Sequence, residues 1–375
     1  MKQSNLEKTI AFRHELHKHP NLSNEERPTL ERIIRFLEEN TKNIEIVDKG
    51  HYVYAIYRAK DPKRPNIGFR SDCDAIKVYD DIDKPYKSVV DGVGHKCGHD
   101  GHTAVMAGFA MEIDQEGADR DVYFLFQPAE EDGSGAARCV DFITDNDISD
   151  IYAFHVHPGA PKHSVTVRDG LMNCASKGMR IHFKGSPAHA SEPENGRNPS
   201  FAVAKTILET EKITAPGNYK GLVMATIVQI AVGEEEAFGV AASEGKLLMT
   251  IRGAIEDEMD DLQAKIEAAA AKFAKEYELE YAFSYTDAFP ETISHPESNV
   301  KIRNVSNKLD LPIIEMPEAL RGSEDYGHFT KLTKGASLFL GAGMDSPDLH
   351  TTKFDFDDEL IPTAVAIFKG LVLEP

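Results

Sequence analysis

The sequence predicts an α/β protein, a doubly wound mixed sheet with a smaller ferredoxin-like α+β unit inserted into it. Three observations predict it. Short β-rich apolar runs alternate with helical periodicity over residues 1–175, a β-α-β-β-α-β order occupies 176–286, and long helices with a terminal apolar strand resume over 287–375. A chain of 375 residues readily holds two such units.

Taken in order, "LEKTIAFRHELHKHP" opens as a helix and "SNEERPTLERIIRFLEENT" follows as a second, with Ser23 and Glu26 at capping-box spacing. Strands are expected at "IEIVD", "YVYAIYRA", "NIGFRSD", "DVYFLFQ" and "IYAFHV", each bounded by Pro, Asp or Gly. Between the third and fourth lies "HTAVMAGFAMEIDQE", with its apolar residues at helical spacing. In such sheets ligands gather at the carboxyl ends of the strands. The inserted unit opens with the strand-like "ASKGMRIHFKGSPAHAS" and the helix "NPSFAVAKTILETEKIT". The strands "LVMATIVQIAV" and "GKLLMTIRGAI", the helix "DEMDDLQAKIEAAAAKFAKEYE" and the strand "LEYAFSYT" complete it, and "GASLFLGAG" returns the chain to the first sheet.

Composition narrows the function. A formal net charge of −20 argues against general affinity for nucleic acid or anionic membranes, which needs clustered Lys and Arg. No apolar run approaches the roughly 18 to 20 residues that cross a bilayer, and the first residues lack a signal peptide's apolar core, so a cytoplasmic protein is expected. Four cysteines without CxxC spacing argue against a disulfide framework and give no sign of a zinc ribbon or redox pair. Cys73 reads as a small core residue. There is no GxSxG and no phosphate-binding glycine loop.

The chemistry concentrates at strand ends. In "VGHKCGHDGH", Cys97 and His99 lie two apart on a loop between a strand and a helix, and thiolate and imidazole both suit a zinc-like ion. A cysteine nucleophile at Cys97 is the competing use. "FLFQPAEEDGSGA" ends a strand and presents Glu130 and Glu131 together, where like charges repel and burial is costly without a cation. One can ligate a metal while the other serves as a general base, which fits metal-assisted hydrolysis. His155 and His157, in "AFHVHPG", point to one side of an extended chain. His350, in "DLHTTKFDFDDEL", is either a further ligand or an ordinary loop histidine. Singly, each feature also has a structural explanation: paired glutamates are usually solvated, and a strand histidine is usually a hydrogen-bonded core residue.

Together, "LHKHPNLSNEE", "RSDCDAI", "CGHDGH", "FQPAEEDGSGA", "HVHPG", "RGSEDYGHF" and "LHTTKFDFDDELI" resemble, in order, the motifs of the amidohydrolase branch of the aminoacylase and carboxypeptidase metallopeptidases. That branch includes N-acyl-amino-acid deacetylases, aminobenzoyl-glutamate hydrolases and plant auxin-conjugate hydrolases. The resemblance implies two divalent metal ions, manganese first, with zinc, cobalt or nickel also suited to the ligand set. It implies that Cys97 is shared between them, that His99 and Glu131 hold one and His155 and His350 the other, and that Glu130 is the general base. Asp74 would orient a ligand histidine, Asp72 falls where other branches place a ligand histidine, and His102 would be structural. The inserted unit would be the lid and dimerisation domain of a homodimer or homotetramer. In it, His189 of "GSPAHAS" would stabilise the oxyanion, often from the partner subunit.

The sequence also departs from the pattern. Relatives carry an asparagine in the lid that helps bind the substrate's carboxylate, and Gly239 of "FGVAASEG" stands in its place. Lys77 replaces a proline at the rim of the site. Arg252 and Arg321 are the candidate replacement carboxylate anchors, since a guanidinium binds a carboxylate in bidentate fashion. The substrate expected is a small N-acyl amino acid, cleaved at its amide. A dipeptidase or carboxypeptidase of the same chemistry is the runner-up, and a non-catalytic binding or regulatory protein that kept the fold is the reading from another class. Against the last stands the complete set of Cys97, His99, Glu130, Glu131, His155 and His350.

Overall fold

The computed structural model describes residues 1–375. Helices α1 (Gln3–Lys18) and α2 (Arg27–Asn40) precede strands β1 (Ile44–Asp48), β2 (Val53–Tyr57) and β3 (Ile67–Asp72). Then come α3 (His99–Glu116), β4 (Val122–Gln127), the short α4 (Asp141–Asp145), β5 (Asp150–Pro158), β6 (Val165–Val167) and β7 (Gly170–Asn173). A second group follows: β8 (Ala175–Lys184), β9 (Ala188–His189), α5 (Ser200–Ile213), β10 (Val223–Val232), β11 (Val240–Ala241), β12 (Glu244–Gly253), α6 (Glu256–Glu276) and β13 (Glu280–Phe289). The chain ends with β14 (Thr292–Ser294), α7 (Pro296–Lys308), β15 (Ile313–Glu315), α8 (Gly327–Thr330), β16 (Lys334–Gly343) and α9 (Ile361–Leu373).

Two compact units result. One comprises residues 1–172, 292–319 and 325–375, the other 173–291 with 320–324. The second unit is therefore longer at both ends than the 176–286 expected, and it takes in Arg321, which the sequence had grouped with the first.

The first unit is built on an eight-stranded mixed sheet in the order β1-β2-β4-β3-β5-β16-β6-β15. Strand β3 runs parallel to β4 on one side and to β5 on the other, so the chain reverses its winding direction there. The crevice at such a switch point is where open α/β sheets bind ligands. Strands β3 and β4 are buried along their whole length, β4 as a nearly continuous apolar run and β3 with Arg70, Ser71 and Asp72 buried at its carboxyl end. Helix α3 is buried on nearly every side, and Phe69, Phe109, Phe124, Phe154 and Phe368 pack around it and the sheet. Its glycine at 101 is obligatory, because a Cβ there would meet the Phe356 ring at 2.2 Å.

The capping box expected at Ser23 and Glu26 does not form. Helix α2 starts at Arg27 with no side-chain cap, and the Ser23 hydroxyl donates to Asp74 at 2.8 Å instead. A hydroxyl can satisfy either partner, and here a buried carboxylate outcompetes a helix end.

The second unit is a four-stranded antiparallel sheet, β10-β12-β8-β13, whose order and β-α-β-β-α-β connectivity are ferredoxin-like. Alternate residues of β8 and β12, among them Ile181, Phe183, Leu247 and Ile251, form its core with Leu262 and Ile266 of α6. No helix in the chain is long and apolar enough to cross a membrane.

Candidate metal centre

The carboxyl end of β3 forms the floor of the site. Arg70 lies inside this buried strand, and its guanidinium donates to Asp72 at 2.7 Å, Asp325 at 2.8 Å and Gln127 at 2.8 Å. Asp325 also accepts the Ala136 N–H at 2.8 Å. Breaking a buried network of this kind strands a charge, so it holds the ends of β3 and β4 in one geometry. Beyond the last β3–β5 pair, Arg70 with Ala153, the two strands part, and His102 spans the gap. Its Nε2 accepts the Val156 N–H at 3.1 Å, so the proton sits on Nδ1, which donates to Asp72 at 2.7 Å. With both nitrogens engaged, His102 has no lone pair for a metal.

Three backbone positions present the remaining groups. Cys97 and His99 flank Gly98, whose φ is +93°, and a Cβ there would lie 2.7 Å from Val156. Glu130 and Glu131 leave β4 through Ala129, at φ +52°. His350, in the loop between β16 and α9, has φ +61°, and its N–H donates to the Lys96 carbonyl at 2.7 Å. Left-handed non-glycine residues persist only where their surroundings enforce them, and functional sites collect them.

Cys97 Sγ lies 3.4 Å from His155 Nε2, and His350 Nε2 lies 3.5 Å from Glu131 Oε1. His99 Nε2 is 3.8 Å from Glu131 Oε1 and 4.0 Å from Glu130 Oε2. Two ligand clusters thus share Cys97: Cys97 with His99 and His155, and Cys97 with Glu131 and His350. His99 also groups with Glu130 and Glu131. The strand end that carries His155 delivers it to Cys97, whereas the loop that carries His350 meets the glutamate.

The donor set fits a cation. His99 Nδ1 donates to the Asp74 carbonyl and carboxylate, both at 3.1 Å, which leaves Nε2 as a bare lone pair. That nitrogen and Glu131 Oε1 are both buried without a hydrogen-bond partner. Burial opposes a charged His99, yet Asp72, Asp74 and Glu131 raise it to about 10, so positive charge is favoured at this spot. Burial, reinforced by Glu131 and Glu130, pushes the Cys97 thiol up, which disfavours a free thiolate nucleophile and leaves a bound cation as the means of ionising it. Burial and the neighbouring His102 pull His155 well down. Its neutral ring donates from Nδ1 to the Val156 carbonyl at 2.8 Å and turns Nε2 to Cys97. Beside Glu131, a pocket of about 300 Å³ is lined by Leu22, Ser23, Glu25, Ala75, Ile76 and Lys77.

Asp74 gathers several of these parts, accepting from His99, from the Ser23 hydroxyl and from the Glu131 N–H at 3.0 Å. Three expected residues belong to the second unit and to none of these clusters. His189 is exposed on β9, with Nδ1 2.7 Å from the Ser191 hydroxyl. Arg252 donates to the Arg321 carbonyl at 2.6 Å and to Ser323 at 2.8 Å, and Arg321 itself is exposed. Gly239 accepts the Ala190 N–H at 3.0 Å, and a Cβ there would meet nothing within 4 Å. Sequence reasoning missed Ser23, Glu26, Arg70, Gln127 and Asp325. All five lie within the quoted motifs, and Arg70 also stands out as a charge within a buried strand.

The chain is similar to known proteins over nearly its whole length. Residues 68–374 match the model of peptidase family M20/M25/M40. YhaA of Bacillus subtilis, named as a candidate amidohydrolase, is 26% identical over 98% of this chain and 94% of its own. Among solved structures, the YXEP protein of Bacillus subtilis, described as a dinuclear metal-binding peptidase, has a TM-score of 0.82 at 24% identity, covering 99% of this chain and 98% of its own. The aminobenzoyl-glutamate utilization protein of Klebsiella pneumoniae has a TM-score of 0.74 at 19% identity, covering 99% and 96%. These two likenesses establish the fold, and the family match goes further: the chain belongs to peptidase family M20/M25/M40 and is a metal-dependent hydrolase of the amidohydrolase and peptidase kind.

Proposed function

We propose that the chain cleaves the acyl amide of N-acyl amino acids, acetylated ones among them, using two divalent cations held by Cys97, His99, Glu131, His155 and His350. Manganese is the ion to test first. The observation that carries this reading is the buried pair of lone pairs on His99 Nε2 and Glu131 Oε1, facing each other beside Cys97. When bound, such ions polarise the amide carbonyl and acidify water.

The chain's own residues do the rest. Glu130, 7% exposed, takes a proton from the attacking water and passes it to the leaving amine nitrogen. Asp74 keeps His99 in the tautomer whose Nε2 faces the ion. His189 is assigned to the oxyanion, and Arg252 and Arg321 to the substrate carboxylate. The pocket beside Glu131 has room for a small acyl group or side chain. The name of YhaA supports an amidohydrolase, while the YXEP protein's description as a peptidase keeps the dipeptidase reading as the alternative. A cytoplasmic setting suits the four cysteines, all free thiols.

The test is amine release from a panel of N-acyl amino acids, dipeptides and aminobenzoyl-glutamate, with manganese-loaded and chelated protein. Metal-dependent release that is fastest from N-acyl amino acids is expected. Faster cleavage of dipeptides with a free amino terminus would make the chain a peptidase, and no turnover by protein carrying two metals would remove this reading.

A further inference from the structure

Glu26 has no part in the chemistry above, yet it is an enclosed carboxylate beside it, 3% exposed. Its Oε1 accepts two backbone N–H groups, from Asn24 at 2.9 Å and from Ala129 at 2.7 Å. Both donors are non-glycine residues in the left-handed region, at φ +69° and +52°. One oxygen therefore ties together two left-handed turns, one at an asparagine, which tolerates that region, and one at an alanine, which avoids it. Neighbouring contacts repeat the grip. Ser23 donates to Asp74 at 2.8 Å, and the Asn24 side chain donates to Asp132 at 2.6 Å. The Ala129 carbonyl is held from the other side by the Gly135 N–H at 2.9 Å. Ala129 is where the chain turns out of β4, so its conformation sets the direction of Glu130 and Glu131.

We infer that Glu26 is a positioning residue for the glutamate pair, the turn at 23–26 acting as a clasp on the loop that carries them. The inference rests on the reading of Glu131 as a metal ligand. The grip needs an acceptor oxygen and not a charge, because its donors are neutral N–H groups; glutamine supplies that oxygen at the same position. Glycine at 129 would need no grip, since it enters the left-handed region freely.

The test is Co²⁺ titration of the full chain followed by visible absorption, with Glu26→Gln, Glu26→Met, Glu26→Met combined with Ala129→Gly, and Glu131→Gln as the control. Methionine keeps the volume without the acceptor, and it should weaken Co²⁺ binding about tenfold or more, the usual effect of losing a partner that orients a ligand. Glutamine should bind within about threefold of wild type, and Ala129→Gly should recover most of what methionine loses. Wild-type affinity in Glu26→Met overturns the inference, as does a double variant as weak as Glu26→Met. Should the methionine variant not fold, Glu26→Ala is read in the same way. Undiminished Co²⁺ binding by Glu131→Gln removes the ligand reading itself, a separate failure.

Discussion

Glu130 and Glu131 are consecutive carboxylates at the end of one strand, and their surroundings separate their roles. Glu131 has a buried oxygen without a hydrogen-bond partner, 3.5 Å from His350 and 3.8 Å from His99. Glu130 groups with His99 and Glu131, and with Glu324 and Asp325, but lies outside both clusters that share Cys97. Glu130→Gln should therefore keep its metal content after dialysis while kcat falls by about 10² to 10⁴, the usual contribution of a general base. Glu131→Gln should lose metal and turnover together. A Glu130→Gln variant with undiminished kcat would take Glu130 out of the mechanism. The candidate ligands were legible in the sequence because histidine, cysteine and paired glutamate at the ends of apolar strands are conspicuous there. Their support was not. Arg70 and Asp325 meet across 255 positions, and no spacing rule links residues that far apart. Ser23 was misread because one hydroxyl serves a helix end and a carboxylate equally well.

Helix α1 is fastened to the first turn of α3 by charge. Arg13, fully buried, reaches Asp100 at 3.3 Å, Asp355 at 2.7 Å and Asp358 at 2.8 Å, while His17 lies 2.7 Å from Asp100 and 3.1 Å from Asp80. Burial disfavours a charged His17, but Asp100 and Asp80 outweigh it and raise the imidazole from 6.5 to about 9. A protonated His17 therefore stabilises the folded state. Its contribution, roughly 3 kcal/mol from that difference, is complete below pH 6.5 and is lost as pH rises through about 9. The thermal midpoint of the wild type should fall over this window more steeply than that of His17→Gln, measured side by side by calorimetry. Parallel curves would show that the ion pairs around His17 add nothing. At this scale the sequence was informative wherever an element was long enough to show a period, as α3 and α6 are. Strands of two to four residues, such as β6, β9 and β15, span too few positions for alternation to register.

Over the whole molecule, acidity and an exposed sheet edge pull association in opposite directions. Strand β10 ends its sheet and leaves Val228 63% and Ile230 53% exposed, with a register break between Ile227 and Gln229. Such an edge is a template for pairing, and native chains blunt it, bulge it or cover it. A second copy presenting the same edge would cover it with two-fold symmetry, in keeping with the dimer that the family resemblance implies. Light scattering after size exclusion should then give at least twice the 41.5 kDa of one chain, and Val228→Lys with Ile230→Lys should shift the mass toward one. Each chain carries a net charge of −20, so two copies repel one another through a field that salt screens over roughly 10 Å at 0.1 M. Raising the salt concentration should therefore strengthen the dimer, as an apolar contact opposed by long-range repulsion requires. A dimer that falls apart in salt would instead be held by ion pairs, and the apolar edge of β10 would not be its interface.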